Sequence, residues 1–417
     1  MANFQTLKGF RDFIGVDARK RTWLMNVFRE VFESQGFEPL ETPALEYEEL
    51  LMGKYGEEAN KLIYGFEDRG GRRIALRYDQ TVPTARVAVQ YKNELTFPYK
   101  RYQIQPVWRS DKPQKGRYRE FTQCDIDIIG APGAVADAQI LSTVSAVFSK
   151  LGLDAVLKVN DREQLIALIK EAGIPEDKIF SVIQTIDKLD KKTSSEVIEE
   201  LREKEISQET CDVLFKSLQE AKPSEKLAEI IRLAVTLGIP ESQLVFTPTL
   251  ARGLDYYTGM IFEPTIPGYT AGSVGGGGRY DNLIGSLVGT QMPATGIAFG
   301  FDRVLEALTQ LNKFPPGLAK PSQVLVTIFS PDSTMYSASV YRLLQNNNIS
   351  SELYSDPSKK LESQIKYATA KNIPYVIIAG PEEQQNRVVN LKNLETREQK
   401  TLDFSKLVET LAGDKKV

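Results

Sequence analysis

The segment Lys100–Gly130, KRYQIQPVWRSDKPQKGRYREFTQCDIDIIG, restricts the possible folds more than any other stretch of the chain. An apolar run ends at Arg109, a loop carrying Lys112, Lys115, Arg117 and Arg119 follows, and the chain returns from Phe121 to Ile129 with polar and apolar residues alternating. Alternation at period two predicts a strand with one face in a core and the other in a site. Two strands joined by a basic loop can hold a polyphosphate, because guanidinium forks match phosphate oxygens in pairs. A solvated hairpin tip would carry the same cations, but here apolar strand flanks them on both sides. Asp125 and Asp127 on the return strand fall near that anion site. Cations beside carboxylates suit a ligand with an anionic and a cationic end, such as an amino acid.

The chain has 417 residues, too many for one ordinary core, so about two or three domains are expected. With a net charge of −3, any nucleic-acid contact must come from local basic patches. No long apolar run opens the sequence and no 18-residue apolar stretch occurs, so neither a signal peptide nor a membrane span is expected. The cysteines, Cys124 and Cys211, read as reduced thiols of a cytoplasmic protein. There is no histidine. That excludes a Ser-His-Asp triad and any imidazole acid or base. Two cysteines are also too few for a structural zinc site. Catalysis must rest on arginines, carboxylates, amides and hydroxyls, with magnesium as the candidate metal.

Apolar spacing predicts a helix over Arg19–Gln35, stopped at Gly36, and then an extended edge or covered strand over Phe37–Pro43. Ile74–Arg77 reads as a short strand, and Thr81–Tyr91 and Val135–Leu151 as helices. Residues 161–240 are rich in Glu, Lys, Leu and Ile at helical spacing and read as an inserted helical module. Strands and tight loops are expected over Leu250–Tyr280 and a helix over Ala294–Leu311. The linker Phe314–Pro321 separates a larger region, 1–315, from a tail, 322–417. The tail alternates strand and helix: strands Gln323–Phe329, Ser350–Tyr354 and Tyr375–Ala379, helices Met335–Asn346 and Leu361–Lys371, then two short strands and a last helix. That pattern predicts a small α/β domain.

Four further motifs carry possible chemistry. LARGLDYYTGMIFE, 250–263, compresses Arg252, Asp255 and two tyrosines between glycines. A buried arginine there needs Asp255 or a bound anion as partner, whereas Tyr256 fits a core. SVGGGGRY, 273–280, allows close backbone approach to a ligand or simply a flexible turn; it lacks the Lys-Ser/Thr pair of a phosphate-cradling loop. TGIAFGFDRVL, 295–305, places Arg303 near a helix start, as a surface residue or a site residue. Arg77–Thr81 sits at a strand-to-helix junction, where Asp79 or Thr81 can cap.

Taken in order, LRYDQTVPTAR, PQKGRYREFTQCDIDIIG, RGLDYYTGMIFE, GGGGRYDNLIG and GFDR resemble the motifs of class II aminoacyl-tRNA synthetases. RGLDYY and GGGGRYD are similar to segments particular to the histidyl-tRNA synthetase family. The resemblance covers essentially the whole chain. It implies an α+β multidomain protein: an antiparallel-sheet catalytic domain with a helical insertion, then a C-terminal α/β anticodon-binding domain. It also implies a homodimer with Phe37–Pro43 at the interface, and ATP with Mg2+, L-histidine and tRNA(His) as partners. No membrane partner and no tightly bound cofactor are implied.

By the same resemblance, Asp79, Thr81 and Gln123 hold the substrate ammonium, and Asp127 and Tyr257 read its imidazole. Arg109 and Arg252 take the α-phosphate and the substrate carboxylate. Arg303 and Phe121 sandwich the adenine, Arg117 approaches the outer phosphates, and Gln114 meets the tRNA acceptor end. Gln80 stands where relatives carry leucine, and its side chain is expected to point outwards. Thr122 is expected to face away from the pocket, and Asp127 replaces a glutamate of some members. The alternative is a catalytically silent paralogue that regulates ATP phosphoribosyltransferase in histidine biosynthesis; such relatives typically lack an intact RGLDYY segment and the tail.

Overall fold

The computed structural model describes residues 4–52, 62–113, 118–252, 256–289 and 291–413. It divides into two compact units: Met1–Asp12 with Thr22–Lys313, and Phe13–Arg21 with Phe314–Val417. The strands of the first unit are β1 (Glu38–Pro39), β2 (Leu45–Tyr47), β3 (Tyr64–Glu67), β4 (Arg73–Leu76), β5 (Tyr99–Trp108), β6 (Glu120–Ile129), β7 (Val156–Asp161), β8 (Leu244–Phe246), β9 (Met260–Thr265), β10 (Gly275–Arg279) and β11 (Ala294–Gly300). Among the described residues they form an eight-stranded sheet, in the order β1-β5-β6-β11-β10-β9-β7-β8, and a small sheet, β2-β4-β3. The large sheet is antiparallel except at its two outer pairs, β1 with β5 and β7 with β8.

The helix Gly15–Ser34 packs residues of its Thr22–Ser34 part against the large sheet. Leu24, Phe28 and Phe32 recur at four-residue spacing and are fully buried. The Phe28 ring lies 5.0 Å from Phe299 of β11, and Phe32 lies 5.5 Å from Tyr102 of β5. Gly36, at a φ of 78°, turns the chain into β1 without the Cβ clash another residue would meet. Pro39 sits on the outermost strand, where its missing N–H costs no ladder bond.

The expected helix over Ala294–Leu311 fails in its first half. Residues Ala294–Gly300 form β11, between β6 and β10, and the helix is Phe301–Gln310. A strand covered on both faces loses the polar alternation that marks a half-buried one, so its apolar run is indistinguishable from a buried helix by period.

Within the helical region, Arg162–Glu171, Ile179–Ile186, Ser194–Glu203 and Gln208–Glu220 enclose their own core, with Ile169, Val182, Leu201 and Leu214 fully shielded. Ala251 packs into that core, so the module grips the loop that carries Arg252. The next helix, Glu225–Thr236, instead packs along Ala134–Lys150.

The second unit adds β12 (Val324–Val326), β13 (Ser351–Leu353), β14 (Tyr375–Ile378), β15 (Val388–Asn393) and β16 (Gln399–Asp403), in the order β13-β12-β14-β15-β16. The first three are parallel and the last two antiparallel. Helices Thr334–Asn346 and Phe404–Gly413 bury Val340, Leu344, Leu407 and Leu411 against β12, β14 and β15, while Leu361–Ala370 packs Ala368 with Leu325 and Val376. This is the α/β tail the alternating pattern predicts. A short helix at Pro381–Asn386 was not foreseen.

One motif residue turns out to be structural. Arg279, at the end of the glycine run, donates Nε to Asp137 at 2.9 Å, Nη1 to Asp281 at 3.0 Å and Nη2 to the Gly133 carbonyl at 2.9 Å. Both Arg279 and Asp137 are essentially inaccessible. Arg279→Ala would leave a buried, uncompensated carboxylate and should cost about 3–5 kcal/mol. Chemical denaturation checks this; a loss under about 1 kcal/mol would mean the pair carries little of the fold.

Candidate active site

β5 and β6 pair along their whole length, from Tyr99 opposite Ile129 to Trp108 opposite Glu120. The pleat sends Cys124, Ile126 and Ile128 into the core and Gln123, Asp125 and Asp127 to the other face. Beside them on β11, Gly300 pairs with Gln123, Ala298 with Asp125 and Gly296 with Asp127. A Cβ on Gly296 would lie 2.0 Å from Asp127 Oδ1. One on Gly276 of β10 would lie 1.4 Å from Arg252 Nη1. The glycine run is therefore a central strand, stripped of side chains so that charged groups can lie on it.

Over this floor is a cavity of about 300 Å³. Asp79, Thr81, Gln123 and Asp127 line it with Arg109, Arg252 and Tyr257, so seven residues singled out from the sequence share one chamber. Phe121 and Arg303 are not part of its lining. The Arg109 guanidinium carbon lies 5.1 Å from the Phe121 ring centre. Arg303 donates Nη1 to the Ser273 carbonyl at 2.8 Å and packs its Cδ 3.3 Å from the place a Gly300 Cβ would occupy, next to the Gln123 end of the floor. Gln114 and Arg117 lie outside the described residues, as does Asp255.

The strand-to-helix junction supplies Asp79. Arg77 is a buried strut: Nη1 donates to the Thr42 carbonyl at 2.6 Å and to Gln105 Oε1 at 3.0 Å, and Nε to the Pro106 carbonyl at 3.0 Å. Asp79 Oδ1 accepts the Val82 N–H at 3.4 Å, a weak cap on the helix Thr81–Gln90. Gln80 does not point outwards. It is fully buried, and Nε2 donates to the carbonyls of Gln105 and Gln123 at 3.0 and 3.1 Å. An amide can bridge two strand carbonyls where leucine cannot, which the sequence position alone did not reveal. Arg109 is aimed by its Nε bond to the Tyr78 carbonyl at 3.0 Å.

Arg252 is held in a costly conformation. Its φ of 49° places a non-glycine residue in the left-handed region. Its N–H donates to Asp187 Oδ1 at 2.7 Å, and Arg162 Nη1 donates to the Ala251 carbonyl at 2.8 Å. Both restraints come from the helical module. The side chain donates Nη1 to Glu263 Oε1 at 2.8 Å, a partner not considered from sequence, while Asp255 lies outside the described residues. The arginine backbone is thus held by two hydrogen bonds from the helical module while its side chain lines the cavity.

The acids sit in an unfavourable field. Burial pushes the Asp125 carboxyl well above the usual carboxylate range; Arg101 opposes the rise, and Asp127 and Asp79 add to it. Burial also raises Asp127, against the pull of Arg101 and a hydrogen bond from Tyr280. Asp127 is engaged by the Arg101 guanidinium and the Tyr280 hydroxyl. Such clusters of displaced titrations mark functional sites more often than structural ones. Sequence reasoning did not assign roles to Asp125, Tyr280, Arg101 or Glu263. For Asp125 a signal existed: it lies midway between Gln123 and Asp127 at the strand period.

A mostly antiparallel sheet with acids and arginines converging on one chamber, a helical module inserted between its strands and an α/β tail together make the fold of a class II aminoacyl-tRNA synthetase. A family model described as histidyl-tRNA synthetase matches residues 9–304, and one described as anticodon binding domain matches 323–413. Histidine–tRNA ligase of Christiangramia forsetii is 38% identical, covering 96% of this chain and 97% of the relative. That of Rhodopirellula baltica is 39% identical over 96% of each. The crystal structure of histidyl-tRNA synthetase from Nostoc sp. PCC 7120 superposes with a TM-score of 0.87 at 29% identity, covering 99% of this chain and 100% of that one. The chain belongs to the histidyl-tRNA synthetase family.

The glycine floor gives a test of the site. In Gly276→Ala the new methyl collides with the end of a flexible arginine, not with backbone. The fold should survive with little change in melting temperature, whereas ATP–pyrophosphate exchange should fall at least tenfold as Arg252 is displaced. Unchanged exchange would show that Arg252 can leave its place without consequence.

Proposed function

We propose that the chain activates L-histidine with ATP and transfers the histidyl group to the 3′ end of tRNA(His). The observation that carries this reading is one cavity lined by carboxylates, an amide and two guanidinium groups, Arg109 and Arg252. That polarity suits an amino acid whose carboxylate meets ATP at the α-phosphate.

In this reading Asp79, Thr81 and the Gln123 side-chain amide oxygen take the ammonium. Asp127 and Tyr257 face the imidazole, whose two nitrogens need polar partners; an apolar isostere would leave those groups unpaired at about 1–3 kcal/mol each. A site of that kind needs no editing. Arg109 and Arg252 bind the α-phosphate and the substrate carboxylate, Phe121 and Arg303 take the two faces of the adenine, and Arg117 reaches the outer phosphates. The substrate carboxylate oxygen attacks the α-phosphorus, the bond to the bridging oxygen breaks and pyrophosphate leaves. The terminal ribose hydroxyl of the tRNA then attacks the adenylate carbonyl and AMP departs. Neither step requires a protein nucleophile. The chain positions the reactants and meets developing charge with preformed donors, which accords with a sequence lacking histidine.

Among the described residues no group of three or more Cys, Asp and Glu could hold a metal ion. In this reading magnesium would accompany ATP and neutralise its phosphates. The match of 323–413 to an anticodon binding domain supports the tail as the reader of the tRNA's far end; the assignment of Gln114 to the acceptor end rests on the motif resemblance alone. A homodimer formed about the 37–43 edge, and a cytoplasmic location, belong to the same proposal. No helix among the described residues is long and apolar enough to cross a membrane. The regulatory paralogue is not favoured, because the tail is present and relatives spanning nearly the full length are named histidine–tRNA ligases.

ATP–pyrophosphate exchange measured with each amino acid in turn tests the reading: histidine alone should support it. Exchange driven by another amino acid, or by none, would refute it. Arg252→Ala should lower the histidine-dependent rate by about 100-fold or more, the scale for losing a preorganised donor, and near-normal exchange would remove Arg252 from the α-phosphate. Raising salt from about 50 to about 200 mM should weaken tRNA binding at least tenfold, since phosphate contacts release counterions. The KM for histidine should change little; parallel changes would point away from a backbone-dominated tRNA contact.

A further inference from the structure

Asp125 has no role in the reading above, yet it lies between two residues that do. It is 2% exposed and lines the cavity. Its Oδ2 accepts Gln123 Nε2 at 2.9 Å. Its Oδ1 is fully shielded and has no hydrogen-bond partner among the described residues, and the same holds for Gln123 Oε1. Asp127, two residues on, is already engaged by Arg101 and Tyr280. The floor therefore holds two acceptors, on hydrogen-bonded neighbours, that lack a donor among the described residues. A buried acceptor left unpaired is costly, and an anionic one is satisfied best by a cation with several N–H groups.

The Gln123 amide adds direction. Its NH2 end is committed to Asp125, so its oxygen is the end left for a ligand. With Asp125 absent, that restraint is lost and the amide can rotate and present its donors to the ligand's donors. Nearby Asp79 adds negative potential at Asp125, and the cation acting on both floor acids is Arg101, which pairs with Asp127.

We propose that Asp125 is a further contact for the substrate's α-ammonium, accepting on Oδ1 while its Oδ2 fixes the Gln123 amide with the oxygen turned to the same ammonium. This rests on the histidine reading of the site. It makes the ammonium, rather than the ring, the part of the substrate that Asp125 recognises.

The experiment compares unmodified protein with Asp125→Asn and Asp125→Ala. In ATP–pyrophosphate exchange the KM for histidine should rise about tenfold or more in both variants, while the KM for ATP stays within about twofold. Inhibition by histidinol, which keeps the ammonium, should weaken in parallel with histidine. Inhibition by imidazolepropionate, which keeps ring and carboxylate but has no ammonium, should not change. A histidine KM within twofold of the unmodified value overturns the proposal, as does equal weakening of both inhibitors, which would assign Asp125 to the ring or to general packing. If neither variant folds, a crystal structure of the unmodified protein with histidinol decides. An ammonium nitrogen within about 3.2 Å of Asp125 Oδ1 supports the contact, and one beyond about 4 Å overturns it. Absence of histidine-dependent exchange in the unmodified protein would instead remove the underlying reading, and this contact with it.

Discussion

The Arg101–Asp127 pair, closed by the Tyr280 hydroxyl, is the interaction on which the site depends. Arg101 and Asp127 stand directly opposite each other on β5 and β6, so strand register alone brings the charges together. Arg101 is fully buried. Charges removed from water in this way are expensive unless closely paired, and the pair fixes the register of the hairpin. A one-residue slip would turn Gln123, Asp125 and Asp127 into the core and Cys124, Ile126 and Ile128 into the cavity. The polar floor and the hydrophobic core are therefore alternatives that exclude each other along the same strand.

The glycines of β10 and β11 are the complement of that floor. Gly276 and Gly296 have no side chain because Arg252 and Asp127 occupy the space. The helical module contributes from outside the sheet, packing Ala251 in its core and capping the Arg252 N–H with Asp187. A strained arginine held by two elements that are already folded loses little further freedom when an anion arrives. The cost of ordering it is met during folding rather than at the moment of binding. With no histidine in the chain, fixed charge geometry of this kind takes the place of imidazole chemistry.

Much of this was legible in the sequence, and the parts that were not share a cause. The hairpin, the α/β tail and the helical module follow from local period. Seven of the site residues followed from motif order, and the cavity gathers them. What local patterns could not convey was covering by neighbours. The strand Ala294–Gly300 looked like the start of a helix because both of its faces are buried. Gln80 looked like a surface residue because its acceptors, the Gln105 and Gln123 carbonyls, belong to distant strands. Glu263 as the partner of Arg252, and Arg279 as a structural strut, depend on three-dimensional proximity that no spacing encodes. Asp125 differs: the alternation by itself places it on the site face, between Gln123 and Asp127.

The central claim is that one chamber holds an amino acid and the α-phosphate of ATP at opposite ends. A crystal structure of the protein with a non-hydrolysable histidyl-adenylate analogue tests it most directly. The account predicts the ammonium among Asp79, Thr81 and Gln123, the ring beside Tyr257, and the phosphate surrogate between Arg109 and an Arg252 that has released Glu263. An analogue bound elsewhere, or bound here in the reverse orientation with its phosphate surrogate over the acids, would contradict it.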